Sequence, residues 1–165
     1  MTRDVVSQAT LAPVSAAHPT TELDPAEAGP KILVVDDEAD ILKVLTLQLQ
    51  SKGYRVVTAN EGSQAISAMR EEQPELILMD IDFPPDVPHG GGIHWNGFVL
   101  SQWLRNVNGA NRIPIILISA NGRDEYKTQA STSGAFAFLS KPIDSFLLFL
   151  TVDNALQAKA AGRLC

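Results

Sequence analysis

The 165-residue sequence has only one cysteine, Cys165. This excludes an internal disulfide and a metal site built from several thiolates. Basic residues are also few, with 13 Lys and Arg against 19 Asp and Glu and a net charge of −6, which argues against nonspecific nucleic-acid binding. No apolar run approaches the roughly 20 residues of a membrane span, and the N-terminus lacks the apolar core of a signal peptide. We therefore expect a cytoplasmic protein with neither a membrane nor a nucleic-acid partner.

Residues 1–30 differ in composition from the rest of the chain. They are rich in Ala, Thr, Pro and Ser, with prolines at positions 13, 19, 25 and 30, and they show no apolar periodicity. Such a segment buries too little apolar surface to fold. We predict a disordered leader over 1–30, one compact domain over 31–160 and a short tail over 161–165, since 45% hydrophobic content suffices for a single core.

Beyond residue 30, short apolar runs alternate with helical patterns. Strands are predicted at 31–35, 54–58, 75–79, 114–118 and 135–139, and helices at 38–51, 61–72, 96–106, 124–132 and 144–159. Five strands with intervening helices predict an α/β fold with a doubly wound parallel sheet, because right-handed crossovers place helices on both faces. In the flavodoxin-like strand order 2-1-3-4-5, the first and third strands are neighbours.

Polar side chains stand at the carboxyl ends of four of these strands. They are Asp36 and Asp37 after the first strand, Asp80 after the third, Ser119 after the fourth and Lys141 after the fifth. Ligands of open parallel sheets bind outside these ends, and three carboxylates there would repel one another unless a hard cation joined them. The pattern predicts a magnesium-dependent site in which a carboxylate accepts a phosphoryl group while metal and lysine neutralise its oxygens.

Taken singly, each of these residues has an ordinary explanation. Asp36 or Asp37 alone would be the N-cap of the following helix, Ser119 a turn residue and Lys141 a solvated cation. Their joint occurrence at successive strand ends favours the phosphoryl site.

With these motifs, the segment from 31 to about 158 resembles the receiver domain of two-component response regulators, including the chemotaxis-type single-domain receivers. The resemblance implies that Asp80 is the phosphoacceptor. It also implies that Asp37 binds Mg²⁺ directly, that Asp36 does so mainly through water, and that the backbone carbonyl of Asp82 reaches the metal.

The same resemblance assigns roles to the fourth and fifth strand ends. Ser119 matches the hydroxyl residue that closes onto the phosphoryl group, and Lys141 matches the lysine that pairs with it. Phe138 matches the aromatic switch position, and Pro142 is expected to follow Lys141 through a cis peptide bond.

The implied function is that of a stand-alone receiver, phosphorylated by a sensor histidine kinase or a histidine phosphotransfer protein and catalysing only its own phosphorylation and dephosphorylation. A phosphorelay intermediate and a fragment of a larger regulator or hybrid kinase are alternatives. Asp80-Ile81-Asp82 also resembles the motif of haloacid-dehalogenase-type phosphatases. In those enzymes the nucleophile precedes the acid pair, whereas here the pair at 36–37 comes first, so the order favours the receiver.

The last predicted helix carries more apolar residues than one buried stripe requires. The stripe itself consists of Leu148, Phe149, Val152 and Leu156. Off this stripe lie Phe146, Leu147 and Leu150, which we predict to form a partner face. Phosphorylation is expected to draw Ser119 inward, rotate Phe138, and reshape the surface of the fourth helix, fifth strand and last helix, for an unknown output protein or for a homodimer. Coverage of this face by the leader is the alternative.

The segment 83–95 is longer than the short loop expected after a strand, and its three prolines and three glycines exclude a regular helix. It is expected to screen phosphorylated Asp80 or contact a partner, or to be a tolerated insertion. His89 and His94 without accompanying cysteines are weak evidence for zinc. His89-Gly90-Gly91-Gly92 resembles a lipase oxyanion motif, but the chain has no Gly-x-Ser-x-Gly nucleophile motif.

Overall fold

The computed structural model describes residues 29–82, 97–106, 112–120 and 132–164. Their elements are β1 (Lys31–Val35), α1 (Ala39–Gln50), β2 (Arg55–Ala59), α2 (Gly62–Glu72), β3 (Leu76–Asp80), α3 (Gly97–Asn106), β4 (Ile115–Ser119), β5 (Ala137–Ser140) and α4 (Ser145–Ala160). Residues 1–28 of the predicted leader, the segment 83–95 and the predicted helix 124–132 lie outside the described residues, apart from Thr132, which is helical.

The five strands form one parallel sheet in the order β2-β1-β3-β4-β5, which confirms the predicted fold. From β1 the chain first adds β2 on one side, and then adds β3, β4 and β5 on the other. The order therefore reverses between β1 and β3, where Val35 pairs with Met79 at the carboxyl ends of both strands. A crevice at this reversal is where sheets of this kind bind their ligands.

Side chains of the strands alternate between two apolar cores, one on each face of the sheet. One core joins strand residues to α2 and α3, and includes Leu33, Val35, Ile77, Met79, Met69 and Leu104. The other joins strand residues to α1 and α4, and includes Ile32, Val34, Leu76, Leu78, Leu49 and Val152. Full burial of one such side chain contributes about 1.5–3 kcal/mol. The two cores therefore stabilise the sheet from both faces and hold the strand ends in place.

Four strands begin and end later than predicted, each ending one residue later, which changes the position of the polar residues. Asp80 and Ser119 are the last residues of β3 and β4 and not the first residues after them. The sheet ladder continues past them, since the Ile81 amide donates to the Ile118 carbonyl and the Lys141 amide donates to the Ser119 carbonyl, both at 2.8 Å. Sheet hydrogen bonds therefore hold the backbone of both residues.

Tyr54, just before β2, links that edge of the sheet to α4. Its hydroxyl donates to the Asp153 carboxylate. Burial, and then the neighbouring Asp153 carboxylate, raise the pKa of Tyr54 from 10.0 to about 12. The folded protein thus holds this proton more tightly than the unfolded chain does. The resulting stabilisation is complete below pH 10 and is lost as the pH rises through about 12.

We therefore expect the free energy of unfolding of the wild-type protein to fall more steeply between pH 10 and 12 than that of Tyr54→Phe. The phenylalanine variant keeps the ring but has no proton to lose, so the difference between the two curves isolates this one group. Urea denaturation at a series of pH values measures both. Parallel curves for the two proteins would contradict the assignment.

Candidate functional site

The ammonium of Lys141 lies among three carboxylates at the reversal point of the sheet. Its Nζ is 2.8 Å from Asp80 Oδ2, 2.9 Å from Asp36 Oδ2 and 3.2 Å from Glu38 Oε1. The Lys141 side chain is 13% exposed, and those of Asp36 and Asp80 are 0% and 4% exposed. Water screens these charges weakly, so the Lys141 ammonium holds the two buried acids together. The peptide bond between Lys141 and Pro142 is cis, as predicted.

Backbone amides orient the two buried carboxylates in the same way. The Glu38 amide donates to Asp36 Oδ1 at 2.9 Å, and the Asp82 amide donates to Asp80 Oδ1 at 3.1 Å. Each acid therefore uses one oxygen for a local backbone contact and turns its Oδ2 toward Lys141. These two Oδ2 atoms and the ammonium define the centre of the site.

The ionisation of Asp36 and Lys141 follows from this geometry. Burial raises the pKa of Asp36, and the Lys141 ammonium and the Glu38 amide oppose the rise only in part. Burial alone would lower the pKa of Lys141, but its hydrogen bond to Asp80, its close contact with Asp36 and the charges of these acids outweigh burial and raise that pKa above its ordinary value. Lys141 is consequently a permanent cation at neutral pH.

The acidic groups fit a divalent cation. Asp36, Glu38 and Asp80 each offer a carboxylate oxygen, and these oxygens all lie within 4.8 Å of one another. Asp36 Oδ2 is buried and, among the described residues, accepts no hydrogen bond, although the Lys141 ammonium is close to it. Carboxylate oxygens are the ligands that Mg²⁺ prefers. The donor set and the unsatisfied oxygen both suit a hard metal ion.

The structure distributes the predicted acids unequally. Asp36 and Asp80 are buried, whereas Asp37 is exposed and lies outside the group of close carboxylates. Glu38, which the sequence analysis missed, belongs to that group instead. Its position directly after the acid pair is the only signal that pointed to it. The predicted roles of Asp37 and of the Asp82 backbone carbonyl as metal ligands stay predictions.

Ser119 lies at the same sheet edge and contacts Asp82. It is fully buried, and its hydroxyl donates to Asp82 Oδ2 at 2.7 Å. Both residues were predicted near the site, but this contact between their side chains was not. Phe138, the predicted switch residue, is half-buried and packs against the core formed with α2 and α3.

The predicted partner face is exposed on α4. Phe146, Leu147 and Leu150 are 75%, 47% and 46% exposed, while Leu148 and Val152 on the other side of the helix are buried. The remaining two stripe residues predicted to be buried, Phe149 and Leu156, are half-buried.

No helix within the described part of the chain combines the length and the apolar character needed to cross a bilayer.

Known proteins resemble this chain in sequence and in structure. Residues 32–153 match the family model of the response regulator receiver domain. Transcriptional regulatory protein GlrR of Escherichia coli is 31% identical over 129 residues, which are 78% of this chain and 27% of GlrR. Protein PilH of Pseudomonas aeruginosa is 30% identical over 126 residues, which are 76% of this chain and 97% of PilH. This chain thus spans about a quarter of GlrR and nearly all of PilH.

Solved structures show the same likeness. The crystal structure of the chemotaxis response regulator CheY4 of Vibrio cholerae superposes with a TM-score of 0.67 at 26% identity. The superposition covers 77% of this chain and 98% of the CheY4 chain.

Proposed function

Because this chain belongs to the receiver-domain family of response regulators, we propose that it accepts a phosphoryl group on Asp80. The donor would be the phosphohistidine of a sensor histidine kinase or of a histidine phosphotransfer protein. The observation that carries this proposal is the buried Asp80 carboxylate at the sheet reversal, with Oδ2 2.8 Å from a lysine whose pKa is raised. A carboxylate in this setting faces the cation that a transferred phosphoryl group needs.

The transfer requires little movement of the protein. Asp80 Oδ1 accepts from the Asp82 amide and Oδ2 faces Lys141, so the attacking oxygen that we propose is Oδ2, beside the cation. As the new oxygen–phosphorus bond forms, the nitrogen–phosphorus bond of the donor breaks and the histidine nitrogen keeps the electron pair. Lys141 pairs with the transferring oxygens from the position it already occupies beside Oδ2.

We further propose that Asp36 and Asp80 hold Mg²⁺ together with Glu38 or Asp37 and the backbone carbonyl of Asp82. When bound, the ion would neutralise negative charge on the transferring oxygens. The support is the buried Asp36 Oδ2, which accepts no hydrogen bond within the described part of the chain, and the pKa of this acid, which burial raises. Burial disfavours the ionised form of Asp36. A divalent cation would supply the missing compensation.

The output would pass through Ser119 and Phe138 to the surface. Removal of apolar side chains from water is the main driving force of protein association, and Phe146 with Leu150 on α4 offers such side chains. We propose that phosphorylation changes how this face presents itself to an output protein or to a second copy. Gel filtration of phosphorylated protein beside Phe146→Ser tests the homodimer.

The same site would also serve a larger regulator or hybrid kinase that contains this domain.

Intact mass measured after incubation with acetyl phosphate and Mg²⁺ tests the function. We expect one phosphoryl adduct that is labile to hydroxylamine, and none in Asp80→Asn, which keeps the size of the side chain but loses the nucleophilic oxygen. Omission of Mg²⁺ should suppress the adduct. Steady release of phosphate without an adduct would favour the phosphatase alternative. If neither an adduct nor phosphate release is observed, the proposed phosphoryl transfer is overturned.

A further inference from the structure

The Ser119 hydroxyl is already committed to a charged partner. It donates to Asp82 Oδ2 at 2.7 Å, an ordinary distance for a hydrogen bond from a hydroxyl to an oxygen. Ser119 is fully buried, whereas Asp82 is exposed. The water-exposed Asp82 carboxylate therefore binds the Ser119 hydroxyl, which is shielded from water.

Asp82 contacts both Asp80, the proposed phosphoacceptor, and Ser119, the predicted switch residue. Its amide donates to Asp80 Oδ1 at 3.1 Å, while its carboxylate accepts from Ser119. Asp80 and Ser119 end adjacent strands, and the bond between the Ile81 amide and the Ile118 carbonyl fixes their backbones. Any change in what Ser119 contacts must consequently come from side-chain rotation and from Asp82.

We propose that Asp82 is a positioning residue that competes with the phosphoryl group for the Ser119 hydroxyl. A serine hydroxyl has one proton to donate, so it can serve the Asp82 carboxylate or a phosphoryl oxygen but not both. This inference rests on the proposed phosphorylation of Asp80. In the unmodified protein Asp82 keeps the hydrogen bond from the Ser119 hydroxyl. It thereby opposes the arrangement in which this hydroxyl donates to a phosphoryl group on Asp80.

Phosphorylation reverses this preference through charge. A phosphoryl group on Asp80 brings new negative charge two residues from Asp82, whose amide already contacts Asp80, and like charges repel. Because Asp82 is exposed, its carboxylate can turn into water at small desolvation cost, and Ser119 is released to the phosphoryl oxygens. The charge of Asp82 thus sets how strongly the unmodified state is favoured.

Neutralising Asp82 should make transfer of the Ser119 hydroxyl to a phosphoryl group more favourable. A neutral amide oxygen accepts a weaker hydrogen bond than a carboxylate does, so Asp82→Asn is expected to bind a phosphoryl mimic about five- to tenfold more tightly than wild type. The probe is beryllium fluoride with Mg²⁺, which adds to a carboxylate as a phosphoryl group would and needs no phosphodonor. Calorimetric titration gives the dissociation constants.

A double-mutant cycle separates positioning from simple repulsion. We expect the gain from Asp82→Asn to disappear in the Ser119→Ala background, because no hydroxyl is left to release. An equal gain in both backgrounds would show that Asp82 acts on the mimic through its charge alone, and would overturn the inference. Glu61→Gln is the matched control. Glu61 accepts the Ser63 hydroxyl at 2.7 Å at the start of α2, beyond the edge strand β2, and its neutralisation should leave the affinity unchanged.

A second measurement does not depend on phosphoryl chemistry. This measurement is urea denaturation, without Mg²⁺ or mimic, of wild type, Asp82→Asn, Ser119→Ala and the double variant. We expect a coupling between Asp82 and Ser119 of about tenfold in the folding equilibrium constant, which is about 1.4 kcal/mol. Coupling near zero would overturn the inference while the adduct on Asp80 still formed. Failure of the wild-type protein to bind the mimic or form the adduct would overturn the proposed function, and the competition for Ser119 with it.

Discussion

Lys141→Ala is expected to lower the free energy of unfolding by about 3 kcal/mol at pH 7 without Mg²⁺. The substitution removes the single ammonium between Asp36 and Asp80 and leaves two buried acids facing each other. Breaking a buried ion pair costs about 3–5 kcal/mol, and we expect the lower end because Lys141 keeps 13% exposure and burial already raises the pKa of Asp36, so this acid can take up a proton. Urea denaturation monitored by circular dichroism measures the change. The variant should also fail to form the phosphoryl adduct.

Two comparisons identify the cause of that loss. In an Asp36→Asn background the cost of Lys141→Ala should be smaller, because the acid whose pKa burial raises is then neutral. Mg²⁺ should restore part of the stability of the single variant, since a divalent cation can replace the missing positive charge. Lys159→Ala is the matched control, because Lys159 lies 4.0 Å from a half-exposed Glu75 and such pairs contribute about 0–1 kcal/mol. An equal cost at both lysines would contradict the assignment.

Gly97→Ala is expected to disturb the acceptor itself. A Cβ atom at Gly97 would lie 2.4 Å from the Asp80 carbonyl oxygen and 2.7 Å from the Ile81 Cα. Both atoms belong to the backbone at the end of a central strand, and the Gly97 amide donates to the Ile81 carbonyl at 3.1 Å. Neither side can give way by rotating a side chain, so α3 or the end of β3 must move. We expect a loss of about 1–3 kcal/mol of stability, as for other overpacked sites, and a large fall in the rate of adduct formation.

Val99→Ala serves as the control on the same helix. Val99 is 37% exposed, and alanine favours helix at such positions, so stability and adduct formation should stay close to wild type. Normal phosphorylation of Gly97→Ala would mean that the contact between α3 and β3 does not position Asp80.

The fold was predictable because its signals are local and repeated. Each strand is an apolar run, and the alternation of runs with helical patterns leaves few arrangements under the rule of right-handed crossovers. The boundaries moved by about one residue for identifiable reasons. Asp80 and Ser119 continue the sheet ladder although their side chains are polar, and the helix starts predicted at Glu38 and Asp144 are N-caps, which precede the hydrogen-bonded helix.

The placement of Asp36, Asp80 and Lys141 at one edge of the sheet was predictable, but the contacts of the site were not. Strand ends bring Asp36, Asp80 and Lys141 to one edge whatever their rotamers, and the structure has them in contact. Which of two adjacent acids turns inward depends on the direction in which the chain leaves β1, and sequence alone does not give that direction. The contacts of Glu38 with Lys141 and of Asp82 with Ser119 depend on side-chain torsions in two separate segments, and no periodicity encodes them.

The extension of the sheet ladder through Asp80 and Ser119 has a consequence for the time course of signalling. Backbone atoms tied into the middle of a packed sheet separate only when much of the domain opens, which is the slowest and rarest of a protein's internal motions. Rotations of exposed side chains such as Asp82 occur in picoseconds to nanoseconds. The step we propose for Asp82 needs rotation of an exposed side chain and no separation of strands, so arrival and loss of the phosphoryl group, and not rearrangement of the sheet, set the pace of this step.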